Sequence, residues 1–254
     1  MHRSTIREDW REAGGPEGNV ISILMFLSPI KTFKKVVKKK STENYKGVPY
    51  ITTLLSTSLW SYYGLLKVGG LLIVTVNGAG AALHVVYVTL FLIYAPNDIK
   101  RKYMKLVATI NIGFLGAVLL VTQVALHGGI RITVVGVLCA GLTIGMYAAP
   151  LAAMKMVIQT RSVKFMPFSL SFFQFLNGGV WSAYAVLVKD FYIGVPNGIG
   201  FLLGSSQLIL YVVYRNKSAS EGPMEEEGSA HLFEGMIAMH DFNDSMKNEA
   251  LAKE

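Results

Sequence analysis

Phe191–Tyr214 reads FYIGVPNGIGFLLGSSQLILYVVY, an apolar stretch in which the amide Asn197 is set between Pro196 and Gly198. An earlier stretch, Leu71–Tyr94, reads LLIVTVNGAGAALHVVYVTLFLIY and carries Asn77–Gly78 at the matching depth, 120 residues before Asn197. A bare amide in hydrocarbon costs several kcal/mol unless something pairs with it. Two amides at equivalent places therefore point to a polar pocket between two related halves.

Composition agrees with a chain that lives in a bilayer. Of 254 residues, 52% are hydrophobic and only 16% charged, and the mean hydropathy is +0.43. That profile excludes a disordered or ordinary soluble chain. The one cysteine, Cys139, rules out an intramolecular disulfide and gives no sign of a Cys-rich metal site. A net charge of +8 could signal nucleic-acid binding. Here the Lys and Arg sit in short segments beside apolar spans, as topology signals do, and no nucleic-acid partner is expected.

Seven spans follow along the chain. Met1–Asn19 is polar and lacks the apolar core of a signal peptide. Span 1 is Val20–Phe33, short against the roughly 20 residues a crossing helix needs. A basic loop, Lys34–Lys46, leads to span 2, Val48–Leu66, and the turn Lys67–Gly70 to span 3, Leu71–Ala95. The loop Pro96–Lys105 precedes span 4, Leu106–Leu126. Spans 5, 6 and 7 are Ile132–Ile158, Met166–Val188 and Phe191–Tyr214. Seven Lys between Lys31 and Lys46, four basic residues between Lys100 and Lys105, and Lys155, Arg161 and Lys164 all fall on one side. The opposite turns hold only Lys67, Arg131 and Lys189. The positive-inside rule makes the basic side cytosolic, the N-terminus lumenal or extracellular and the C-terminus cytosolic. The tail 215–254 is polar, with acidic Glu225–Glu227, and reads as mostly disordered. Its Leu232, Phe233, Met236, Ile237 and Met239 have the spacing of a short amphipathic helix, although a disordered segment is the simpler reading.

The two halves can be laid on each other. Pro29 and Pro150, Ser41 and Ser162, Trp60 and Trp181, and Tyr63 and Tyr184 are each 121 residues apart; Pro49 and Pro167 are 118 apart. The fold expected is all-α, seven transmembrane helices arranged 3+1+3. Residues 20–95 form one three-helix repeat, 132–214 the other, and 96–131 hold a linker helix with its flanking loops. With three spans and one linker between copies, the second enters from the same side as the first, so the repeat is parallel. A substrate site belongs at the repeat interface near mid-membrane.

These residues also carry a resemblance. The chain resembles the SWEET sugar transporters in Phe26-Leu27-Ser28-Pro29, Lys40-Ser41-Thr42-Glu43, Pro49-Tyr50, Leu59-Trp60, Tyr62-Tyr63-Gly64 and Val76-Asn77-Gly78. Its second half matches in Met146-Tyr147-Ala148-Ala149-Pro150, Arg161-Ser162-Val163, Phe165-Met166-Pro167-Phe168, Leu176-Asn177-Gly178 with Trp181, and Val195-Pro196-Asn197-Gly198. The likeness covers about Gly18 to Lys217, and SLSFFQFLNGGVWSAY looks most like the plant vacuolar-membrane clade. It departs in the polar lead before Gly18, in His84 where an acidic residue is more usual, and in Ala185 after Tyr184 where the first half has Gly64 after Tyr63. The resemblance implies a sugar facilitator, with one complete pathway per chain and association into homotrimers or hetero-oligomers.

The candidate substrate contacts are Asn77 and Asn197, whose amides offer two donors and an acceptor each to sugar hydroxyls. The alternative for both is hydrogen-bonded glue between helices. Trp60 and Trp181 could stack on a sugar ring, or serve as interfacial belt residues. Ser22 with Thr143, Met25 with Met146, and Ser56 with Asn177, all at a spacing of 121, complete the set. Ser22, Met25 and Pro29 share one helix face. By resemblance the two Met set pocket size and favour a monosaccharide over a disaccharide; read alone, each Met is core filling. Pro29, Pro49, Pro150 and Pro167 are candidates for flexible points of a cytosolic gate, with helix termination as the alternative. Tyr63 and Tyr184, near Lys67 and Asp190, are candidates for a lumenal gate. His84 reads as a neutral, hydrogen-bonded packing residue.

Between Glu43 and Glu221 the only carboxylates are Asp98 and Asp190, both in loops. Ion-coupled carriers usually hold the ion with a carboxylate at depth, so an uncoupled, bidirectional uniporter is expected. No phosphate loop, HExxH or nucleophile motif is present; neither an enzyme nor a cofactor is expected. Two alternatives remain. A seven-helix receptor fits the span count without explaining the repeat. An amino-acid carrier of the PQ-loop type should show Pro–Gln pairs, and neither Pro29 nor Pro150 precedes a Gln.

Overall fold

The computed structural model describes residues 19–215. The polar lead, the tail and the short helix considered within the tail lie outside the described residues. Residues 19–27 form α1, followed by α2 Ile30–Lys39, α3 Val48–Leu66 and α4 Leu71–Tyr94. A continuous rod comes next: α5 Asn97–Leu106, a π-helical stretch Val107–Phe114, and α6 Leu115–Val124. The second half repeats the first as α7 Gly128–Met146, α8 Ala148–Thr160, α9 Phe168–Val188 and α10 Phe191–Tyr214. Taken as rods, α1–α2, α3 and α4 form one triplet, α5–α6 the linker, and α7–α8, α9 and α10 the second triplet.

Among the described residues, four helical rods are long and apolar enough to cross a membrane on those criteria alone: 71–94, 97–124, 128–160 and 191–214. Two other rods, α3 and α9, have the length but not the hydropathy. Thr52, Thr53, Ser56 and Thr57 on α3, and Gln174 and Asn177 on α9, are the cause. All six line a cavity instead of facing lipid.

Proline explains why α1–α2 and α7–α8 are broken rods. Without an N–H, Pro29 and Pro150 cannot bond the carbonyl four residues earlier, which belongs to Met25 and Met146. The chain steps to tighter bonds there: Ser28 N donates to Met25 O at 3.1 Å, and Tyr147 N to Ile144 O at 3.0 Å. Pro49 and Pro167, by contrast, stand at helix starts, where a missing N–H costs little: Pro49 is in the first turn of α3 and Pro167 caps α9. The two halves even end their broken rods alike. Lys40 and Arg161 adopt left-handed conformations (φ 50° and 53°). Just beyond them, Ser41 Oγ and Ser162 Oγ accept from the backbone N–H two residues on, Glu43 and Lys164.

Two expected loops are helical, and both are corrections. The chain after Phe33 continues as helix to Lys39, and the segment from Asn97 is helix, not loop. Hydropathy alone misses both because they are amphipathic. Phe33 and Val36 are buried while Lys34, Lys38 and Lys39 point outward or remain partly exposed; Tyr103 is buried between exposed Lys102 and Met104. Span 5 likewise starts at Gly128 and ends at Thr160, a few residues beyond its expected ends at each side.

The buried core divides into two clusters along the helix axes. At the end opposite the lysine-rich segments, Leu59, Trp60, Tyr63 and Ile73 of the first repeat pack with Val135, Cys139, Trp181, Tyr184 and Ile193 of the second. At the lysine-rich end, Phe33, Val36, Tyr50, Tyr87 and Phe91 pack with Tyr103 of the linker rod, and no residue of the second repeat belongs to that cluster. The halves are thus fastened at one end and parted at the other.

Candidate functional site

Where the halves part, they enclose a cavity of about 360 Å³. Its walls come from α1, α3 and α4 of one repeat and α7, α8, α9 and α10 of the other. It holds no Asp, Glu, Lys or Arg.

All ten residues singled out as substrate contacts line this cavity: Asn77 and Asn197, Trp60 and Trp181, Ser22 and Thr143, Met25 and Met146, Ser56 and Asn177. The hydrogen bonds among them cross between the repeats in a matched pair. Trp60 Nε1 donates to Thr143 Oγ1 at 3.1 Å, and Trp181 Nε1 donates to Ser22 Oγ at 2.9 Å. Each indole is held by a hydroxyl of the opposite half, so its ring plane is fixed at the floor of the cavity. Ser22 Oγ in turn donates to Asn177 Oδ1 at 2.5 Å. The paired amides are matched too. Asn77 Nδ2 donates to Ile73 O at 3.0 Å and Asn197 Nδ2 to Ile193 O at 2.8 Å. Each uses one N–H on the turn before it, which orients the amide and leaves its carbonyl oxygen as an acceptor.

The gating candidates divide. Pro49 and Pro150 line the cavity; Pro29, Pro167, Tyr63 and Tyr184 do not. Tyr63 and Tyr184 are buried beneath the floor, each edge-on to its neighbouring tryptophan with ring centroids 5.5 and 5.4 Å apart. Asp190 stands there almost fully buried. Its Oδ2 accepts from Tyr63 OH at 2.7 Å and is ion-paired with Lys67 Nζ. Its Oδ1 caps α10 by accepting from the N–H groups of Tyr192 and Ile193 at 3.0 and 3.2 Å. One carboxylate of the second repeat is therefore clamped by two side chains of the first, at the fastened end.

Glycines let the helices close around the site. A Cβ on Gly80 would lie 2.6 Å from the Phe26 ring, and one on Gly200 would lie 2.5 Å from Tyr147 OH. Phe26 and Tyr147 stand 121 residues apart and Gly80 and Gly200 120 apart, so the same ring-on-glycine contact recurs in both halves. Among the described residues no cluster of three His, Cys, Asp or Glu could hold a metal ion.

A model of the family described as "Sugar efflux transporter for intercellular exchange" matches residues 15–99 and again 133–219, one match on each triplet. The chain belongs to the SWEET family. It is 64% identical over 233 residues to the bidirectional sugar transporter SWEET16 of Oryza sativa subsp. japonica, covering 89% of this chain and 71% of that one. It is 52% identical over 203 residues to the bidirectional sugar transporter SWEET17 of Arabidopsis thaliana, covering 80% and 84%. A solved eukaryotic SWEET transporter superposes with a TM-score of 0.79 at 37% identity, over 83% of this chain and 99% of that one. This SWEET chain is a membrane transporter of the 3+1+3 fold and not an enzyme.

Several cavity residues escaped the sequence reading. Tyr147 lines the cavity and donates to Pro196 O at 2.8 Å, tying α8 to α10. The signal for it was present, since Tyr147 repeats the aromatic Phe26. Gln174 and Thr53, also 121 residues apart, line the cavity and were overlooked. Outside the cavity lining, Gln207, a second amide in the stretch Phe191–Tyr214, is 1% exposed and stands 120 residues after Tyr87. His84 keeps its packing role, with Nδ1 2.8 Å from Gly80 O and its ring edge-on to Phe26 and Tyr87. It also lines the cavity.

Proposed function

We propose that this SWEET protein is a bidirectional, uncoupled carrier of sugars, chiefly hexoses such as glucose and fructose, working by alternating access. The observation that carries the proposal is the uncharged cavity between the repeats, floored by two crossed indoles and flanked by Asn77 and Asn197. Flat indole faces suit the apolar side of a sugar ring, and amide, hydroxyl and carbonyl groups suit its hydroxyls. The bidirectional sugar transporters among its relatives support the substrate class.

The uneven core supports alternating access. The basic end is the cytosolic one, so the form described is fastened on the lumenal side and open toward the cytosol. Rocking the triplets about the cavity exchanges the two closures. The Pro29 and Pro150 breaks are where the first rod of each triplet bends. Coupling to protons or sodium is not needed, since the only carboxylates of the spanning region, Asp98 and Asp190, lie at its ends, outside the cavity. The resemblance to vacuolar-membrane members supports that membrane as the carrier's location, with the plasma membrane second. One chain encloses a whole cavity, so assembly into trimers or hetero-oligomers multiplies pathways without completing them. The proposed domains are the two triplets, 20–95 and 132–214, joined by 96–131, with the first helix of the second triplet beginning a few residues earlier at Gly128.

Uptake of radiolabelled glucose, fructose and sucrose into proteoliposomes tests this reading. Equilibrating hexose flux is expected, with sucrose slower because Met25 and Met146 narrow the cavity. Concentrative uptake driven by an imposed pH gradient would overturn the uniport.

A further inference from the structure

The cavity extends well beyond the ring of Asn and Trp, and its upper walls repeat a polar pattern. Seven residues from Trp60 along α3 stands Thr53, seven from Trp181 along α9 stands Gln174, and seven from Asn77 along α4 stands His84. Seven residues are close to two turns, so each lies on the same helix face as its partner, about 10 Å along the axis. In every case the displacement is toward the lysine-rich end. All three line the cavity.

Each also has capacity for a hydrogen bond that the protein leaves unused. Gln174 has a buried amide atom, Nε2, with no partner among the described residues. Turning the amide over would only exchange which polar atom is stranded. Leaving such a group unpaired is unfavourable; the atom is closed off in the form described, so a ligand hydroxyl pairs with the Gln174 amide once that side chain turns toward the cavity it lines. His84 commits Nδ1 to Gly80 O; with the proton there, Nε2 presents a lone pair. Thr53 donates to Pro49 O at 2.8 Å and retains acceptor lone pairs on the same oxygen. The fourth corner of this layer, Gly204 on α10, has no side chain, and a Cβ there would lie 2.7 Å from the backbone of Phe175. The upper layer is thus one-sided where the lower is paired.

We propose that Thr53, Gln174 and His84 form a second carbohydrate subsite, on the cytosolic side of the Asn77–Asn197 layer, that holds one sugar ring as it enters from or leaves to the cytosol. The proposal rests on the sugar-carrier reading above. A donor on one wall and two acceptors on the others match the alternating donors and acceptors of adjacent ring hydroxyls. The spacing of about 10 Å between layers is further than one ring spans, so the two subsites are occupied in turn by a hexose.

The test is the apparent KM for glucose and fructose measured separately at each face, in proteoliposomes sorted for orientation. With Gln174→Leu combined with His84→Phe, the KM at the cytosolic face rises at least fivefold and the KM at the lumenal face stays within twofold. Thr53→Val, which keeps the shape of the side chain, shifts the cytosolic KM in the same direction by about two- to threefold, which guards against a folding defect in the double variant. His84→Gln, which keeps an acceptor, restores at least half of the lost cytosolic affinity to the double variant. An unchanged cytosolic KM, or an equal rise at both faces, would overturn the second subsite. Failure of the carrier reading is distinguishable: Asn77→Ala with Asn197→Ala would then leave hexose flux intact at both faces.

Discussion

Replacing Tyr63 with Phe removes a single oxygen from the clamp that fastens the lumenal end. Tyr63 OH donates to Asp190 Oδ2 at 2.7 Å across the two repeats. A hydrogen bond to a charged group contributes about 1.5–3 kcal/mol. Asp190 keeps Lys67 and two backbone N–H groups, so the lower end of that range applies. Since 1.4 kcal/mol is about tenfold in an equilibrium constant, the lumen-open population should rise about tenfold. Cys139 is a built-in reporter. It is the only cysteine of the chain and is fully buried in the cluster that contains Trp60, Tyr63 and Tyr184. It becomes accessible only when the halves separate there. The assay is the rate of Cys139 modification by a charged methanethiosulfonate added to the lumenal face of oriented vesicles. Wild-type protein should react slowly, and Tyr63→Phe about tenfold faster. Equal rates in the two proteins would refute the reasoning that this clamp holds the lumenal side shut.

Other consequences follow from the same geometry. Gly178→Ala would place a Cβ 2.6 Å from the backbone N of Phe201, which cannot swing aside. A loss of about 1–3 kcal/mol should appear as a lower Tm in detergent. Gly198→Ala meets nothing within 4 Å, and thermal unfolding should show unchanged or slightly raised stability, since Ala favours a helix by about 0.5–1 kcal/mol. Ser22→Ala strips Trp181 Nε1 of its acceptor and Asn177 Oδ1 of its donor. It should lower hexose flux at least tenfold while Ser206→Ala, on a half-buried serine outside the cavity lining that bonds only its own helix, leaves flux unchanged in the same uptake assay.

Much of this was legible in the sequence because the chain states its plan twice. The spacing of 121 between Trp60 and Trp181, and between Ser22 and Thr143, marked equivalent positions. Equivalence alone did not show that each indole would bond the hydroxyl of the other half. That pairing depends on how the triplets face each other, which no single repeat encodes. The ends of α3 and α10 were readable because Lys67 and Asp190 interrupt apolar runs abruptly. The ends of α2 and α5 were not, because their lysines sit on one face while Phe33, Val36 and Tyr103 sit on the other. A hydropathy average cancels such faces. The role of Asp190 was half visible, as a lone carboxylate in a turn. That it caps α10 while pairing with Lys67 and Tyr63 is a tertiary fact. Gln174 and Thr53 were hidden for a different reason, since they occupy matching positions in which the residue type differs; His84 was read only as a packing residue, because its counterpart in the other repeat is Gly204.

The most direct measurement is hexose flux through purified Asn77→Ala/Asn197→Ala protein in proteoliposomes, with membrane insertion and elution as a folded species checked alongside. Glucose and fructose flux should drop to the level of empty liposomes, because the amides at the centre of the cavity are then gone. Flux equal to wild type from well-folded double variant would contradict a carbohydrate path between the two repeats.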